Sequence, residues 1–66
     1  MEITVNGDIL HFDTPANIPQ LITRLELSNV KIAIELNKQI LPRSEYAQKS
    51  LQEGDILEIV QAIGGG

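Results

Sequence analysis

The sequence predicts an α+β layer pair: a mixed sheet with one main helix packed on one face. Three observations predict it. Short apolar runs alternate with polar residues in the period of strands, one segment carries apolar residues at helical spacing, and turn-forming residues separate the runs. With 66 residues the chain is one domain, and a domain this short buries only about 60% of the surface its unfolded chain exposes. Its apolar fraction of 42% is enough for a core and too high for a disordered chain. Phe12 and Tyr46 are the only aromatic residues, so branched aliphatic side chains must fill the interior.

Ile3 and Val5 alternate with Glu2 and Thr4, which reads as a strand. Asn6-Gly7 follows, two residues that tolerate positive φ as a type I′ hairpin turn requires. With Val5 and Asp8 flanking the turn, Thr4 pairs with Ile9, Ile3 with Leu10 and Glu2 with His11. Ile3, Val5, Leu10 and Phe12 then share one face, and Ile9 and His11 the other. Asn17 is the N-cap of the helix, and Pro19 sits in the first turn, where its missing amide costs little. Ile18, Leu21, Ile22 and Leu25 form one stripe, worth roughly 8 kcal/mol before entropy at about 2 kcal/mol per side chain. Asn29 is the expected left-handed stop. Val30, Ile32, Ile34 and Leu36 alternate with Lys31, Ala33 and Glu35 in the clearest strand of the chain. Asn37-Lys38-Gln39 turns it into a short partner strand at Ile40-Leu41, which Pro42 ends. Ser44 caps a single turn through Glu45, Tyr46 and Ala47. After a turn at Glu53-Gly54-Asp55, a last strand runs from Ile56 to Ile63, directly into Gly64-Gly65-Gly66.

Several chemistries lack their residues. The absence of cysteine removes disulfides, thiolate nucleophiles and zinc-thiolate sites. His11 is the single histidine and cannot anchor an ordinary zinc site, so it reads as an exposed strand residue. The nine carboxylates form no legible acid/base pair. No glycine-rich loop precedes a helix, which leaves no nucleotide cradle. Net charge is −4 and the five basic residues are scattered without stacking aromatics, which argues against nucleic acid. A basic protein partner or simple solubility accounts for the acidic surface. With no charged-then-apolar leader and no apolar run of membrane length, a soluble, cytoplasmic protein is expected.

The glycines carry the functional reading. Glycine loses more backbone freedom on ordering than any other residue, so three in succession add nothing to a packed fold. The expected organisation is a body over residues 1–63 and a flexible tail over 64–66. The tail is a spacer, a cloning scar or a substrate arm. Extended, it reaches roughly 10 Å, enough to carry a carboxylate into another protein's cleft. A glycine carboxylate with a reference pKa of about 3.5 is ionised at neutral pH and reacts only after activation, for which the ATP site lies in a partner.

The length, the early Asn-Gly hairpin, the segment Asn37-Lys38-Gln39-Ile40-Leu41-Pro42-Arg43 followed by Tyr46, and the ending Gly54-Asp55-Ile56-Leu57-Glu58-Ile59-Val60 through Gly64-Gly65-Gly66 together resemble one family. It is the sulfur carrier family of thiamin biosynthesis (ThiS), small ubiquitin-like proteins of β-grasp fold. The resemblance covers essentially the whole chain. It implies a protein co-substrate rather than an enzyme, with no bound cofactor. An adenylating (E1-like) enzyme with ATP and Mg converts the carboxylate of Gly66 into an acyl-adenylate. A persulfide or equivalent sulfur donor then leaves a thiocarboxylate, and thiazole synthase takes the sulfur for the thiazole ring. Gly66 is the modified residue, and Gly64 and Gly65 thread the partner's site. Arg43 and Tyr46 are assigned structural places, Tyr46 with its ring packed and its hydroxyl wet.

A carrier needs a docking face. If Leu57, Ile59 and Ile63 point to the helix, Ile56, Glu58, Val60 and Ala62 point away. The expected patch is Ile9, Ala33, Val60 and Ala62, beside the root of the tail. The competing readings are a molybdopterin-type sulfur carrier, a ubiquitin-like protein modifier and a passive interaction domain.

Overall fold

The computed structural model describes residues 1–62, and the elements follow from local sequence. Strand β1 (Glu2–Val5) turns at Asn6-Gly7 into β2 (Asp8–His11). The turn residues take φ of 51° and 87°, the left-handed pair a two-residue hairpin needs. The register is the expected one, from Val5 opposite Asp8 to Glu2 opposite His11.

Helix α1 (Ile18–Arg24) opens on a capping box. The Asn17 side chain accepts from the Gln20 amide at 2.9 Å, and the Gln20 side chain accepts from the Asn17 amide at 2.9 Å. Ile18 and Leu21 are fully buried, whereas Ile22 and Leu25 pack at the rim, so the stripe contributes less than four complete burials. The helix does not stop at Asn29. Glu26 takes the left-handed conformation at φ 60°, its amide donates to the Thr23 carbonyl, and the Leu27 amide reaches back to the Ile22 carbonyl. This pair of bonds is a Schellman ending, which brings Leu27 over Ile22. Glutamate has no preference for that conformation; packing of Leu27 against the core imposes it.

Strand β3 (Ile32–Leu36) begins two residues later than the alternation suggests, with Val30 left at a bend. A two-residue turn at Asn37-Lys38, both at positive φ, leads to β4 (Gln39–Leu41). Next comes a 3-10 helix over Arg43–Gln48. Its N-cap is Pro42, without a side-chain bond, rather than Ser44, because the Pro42 carbonyl already accepts from the Glu45 amide. Tyr46 in this helix is half-buried against the core. Backbone bonds from Ile18 to the Lys49 carbonyl and from Leu51 to the Ala16 carbonyl tie the following segment to the helix start, and Leu51 enters the core. The last strand, β5, covers Ile56–Gln61; Ile63, the expected strand end, lies outside the described residues.

The sheet order is β2-β1-β5-β3-β4. β5 is the central strand, parallel to β1 and antiparallel to β3. With α1 on one face this is the β-grasp arrangement. The core is aliphatic: Ile3, Ile18, Leu21, Ile34 and Leu57 are its largest fully buried side chains, and among the described residues no polar or charged residue is buried.

Candidate functional site

β5 is the last described element before the glycines. Its inner residues Leu57 and Ile59 are buried, while Ile56, Glu58 and Val60 are exposed on the other face. Beyond the strand, the Ala62 amide still donates to the Lys31 carbonyl at 2.8 Å. The sheet therefore holds the backbone to within two residues of the first tail glycine. Gly64, Gly65 and Gly66 lie outside the described residues.

Two asparagines grip β5 from opposite flanks. β1 ends at Val5, but the Asn6 side chain continues its ladder. Asn6 Oδ1 accepts from the Ile59 amide at 2.8 Å, and Nδ2 donates to the Ile59 carbonyl at 2.9 Å. On the β3 side, Asn37 Oδ1 accepts from the Ile56 backbone N–H at 2.9 Å, and the Asn37 backbone N–H donates to the Ile56 carbonyl at 2.7 Å. Its Nδ2 donates to Asp55 Oδ1 at 3.1 Å. Both asparagines occupy the first turn position of their hairpins at φ 51°. Sequence reasoning read them as turn formers and missed the side-chain grip. The usable signal is that asparagine carries a copy of the peptide's own donor and acceptor.

The registers also lay out the outer face. Ile9, Thr4 and Ile56 form one row across β2, β1 and β5. Glu58, Glu35 and Ile40 form a second across β5, β3 and β4. Val60 and Ala33 form a third. Ile9, Ile40, Ile56 and Val60 are 70%, 71%, 56% and 61% exposed, and Ala33 and Ala62 are exposed as well.

The expected patch is therefore divided. Ala33 and Val60 adjoin at the tail end. Ile9 belongs with Ile56 at the far end, about 13 Å back along β5 at the rise of a strand. Glu35 and Glu58 stand between, directly opposite each other. Ile40 and Ile56 were not in the expected set. The division arises because Ile9 is set by the β1–β2 turn and Val60 by the β3–β5 ladder, two registers that alternation along one strand cannot relate. Asn6, Ala33, Glu35, Ile40, Glu58 and Val60 line a shallow hollow in this face.

The remaining candidates have structural places. His11 is exposed between Glu2, at 4.0 Å, and Asp13, at 3.1 Å. Arg43 is exposed, its guanidinium 3.4 Å from the Ile32 carbonyl. Among the described residues no three His, Cys, Asp or Glu side chains converge as metal ligands, and no helix is long and apolar enough to cross a membrane.

Comparison with known proteins agrees with this architecture. The model of the ThiS family matches residues 1–66. The sulfur carrier protein ThiS of Escherichia coli (strain K12) is 30% identical over 66 residues, with 100% of both chains covered. A thiazole synthase of Paramagnetospirillum magneticum is 39% identical over 66 residues; all of this chain aligns, but with only 20% of that protein, so the chain spans about a fifth of its length. Among solved structures, the crystal structure of the thiamine biosynthesis protein (ThiS) from Geobacter metallireducens superposes with a TM-score of 0.82 at 29% identity, covering 100% of both chains.

Proposed function

Because the chain belongs to the ThiS family, we propose that it is a sulfur carrier of thiamin biosynthesis whose reacting group is the carboxyl of Gly66. An adenylating enzyme supplies ATP and Mg and converts that carboxylate into an acyl-adenylate, with pyrophosphate leaving. The terminal sulfur of a persulfide-type donor displaces AMP to form an acyl disulfide, and a thiol then cleaves its S–S bond, leaving the thiocarboxylate on Gly66 and a new disulfide on the donor side. Thiazole synthase is the acceptor of the sulfur. The family match across the full chain is the observation that carries this reading. The relation to thiazole synthase is supported by the matching segment within the Paramagnetospirillum protein of that name.

The body's part is to be held. β5 is hydrogen-bonded on both sides and leads toward the glycines, so a partner that grips the outer face also fixes the origin of the tail. Val60 and Ala33 lie closest to that origin among the paired outer residues, and the Glu35–Glu58 pair gives the face a negative centre suited to a basic partner. Gly64 and Gly65, with no Cβ, thread a narrow channel.

The test is intact mass after incubation with an adenylating enzyme, ATP, Mg and a sulfur donor. The expected result is the gain of one oxygen-to-sulfur exchange, abolished by deletion of Gly65 and Gly66. Adducts on lysines of other proteins would instead identify a modifier. For the docking face, Val60→Asp is expected to lower the rate of activation at least tenfold, by placing an unpaired charge in an apolar contact. An undiminished rate in a folded variant removes Val60 from the interface.

A further inference from the structure

We propose that Asn6 is a site of spontaneous deamidation, gated by the seat of β5 and able to alter the outer face once it reacts. The chain has four asparagines, followed in turn by Gly7, Ile18, Val30 and Lys38. Only at Asn6 does the next residue lack a side chain to obstruct its backbone nitrogen, and the space around Gly7 is open. The chemistry needs water alone. The Gly7 nitrogen attacks Asn6 Cγ, a C–N bond forms, and ammonia leaves to give a five-membered succinimide. Water then opens either carbonyl, producing aspartate or the isomer whose backbone runs through the β-carboxyl.

The fold opposes the first step. Both polar atoms of the Asn6 amide are bound to the Ile59 backbone, at 2.8 and 2.9 Å. Cγ is thereby held toward β5, and the amide cannot turn to Gly7 until both bonds break. Reaction thus requires the Asn6 side chain to come off the Ile59 backbone. The product does not restore the grip: a carboxylate still accepts from the Ile59 amide but has no proton for the Ile59 carbonyl. It also adds a third carboxylate to the hollow that holds Glu35 and Glu58. Net charge goes from −4 to −5, by one added negative charge. None of this depends on sulfur transfer.

Peptide mapping by mass spectrometry tests the proposal on the full chain. Asn6 is expected to deamidate at least roughly tenfold faster in urea than in the folded protein, as loss of two side-chain bonds implies. Equal rates overturn the gate, and absence of reaction in urea overturns the site. In Asn6→Asp, the equilibrium constant for urea unfolding is expected to rise roughly tenfold, because the Ile59 carbonyl loses its donor while the Ile59 amide keeps its acceptor. An unchanged constant overturns the claimed effect on β5. A third arm uses Lys38→Gly, which creates a second Asn-Gly pair where the asparagine bonds are exposed. Asn37 in that variant is expected to react faster than Asn6 in the same folded molecule. The reverse order overturns the role of the grip.

Discussion

The two hairpins of this fold solve the same problem with different residues. β1–β2 turns on Asn6-Gly7 and β3–β4 on Asn37-Lys38, each a two-residue turn with both residues at positive φ. In the first, glycine takes the second left-handed position at no steric cost. In the second, Lys38 takes it at φ 70°, with a Cβ that disfavours the conformation by about 1–2 kcal/mol. Each asparagine then turns its side chain onto β5, Asn6 through part-buried bonds and Asn37 through exposed ones. A turn here is also an anchor for a third strand, and the anchoring side chain stays asparagine while its neighbour varies.

Substitutions can break or sharpen this contrast. Asn6→Ala has the largest expected effect, a loss of about 2–3 kcal/mol in urea unfolding, since both polar groups of Ile59 lose a part-buried partner. Asn37→Ala removes exposed bonds that water replaces, and is expected to cost about 1–1.5 kcal/mol in the same assay. If the two losses are equal, burial is not what distinguishes the anchors. Gly7→Ala meets no atoms, so its cost is backbone strain alone, about 1 kcal/mol after the entropy gained in the unfolded chain is subtracted. Lys38→Gly runs the other way, with a net stabilisation of about 0.5 kcal/mol as strain relief outweighs glycine's entropy. A destabilising Lys38→Gly would show that the lysine side chain makes a compensating contribution.

The β1–β2 register was legible because Asn-Gly fixes a two-residue loop, and a fixed loop fixes every pair that follows. The helix start was legible through Asn17, although the reciprocal role of Gln20 was not. Its end was misplaced because the left-handed residue is Glu26, put there by the docking of Leu27 and not by its own preference. Alternation along β5 assigned its faces correctly for Leu57 and Ile59. It could not say which outer residues of other strands lie level with Val60, because that depends on the four pairing registers of the sheet. So Ile9 was joined to a group it does not touch in register, and Ile40 and Ile56 were passed over. The glycines needed no fold to be noticed, since their composition alone sets them apart from the body.

The central place of β5 has a mechanical consequence. Consider a force applied at Ala62, the last described residue, along the axis of β5. Because β5 is paired with β1 on one side and β3 on the other, with hydrogen bonds running across it, such a force is a shear load. Bonds on both flanks bear it together, whereas an edge strand peeled sideways would release them one at a time. Along this axis the central strand does not yield one bond at a time.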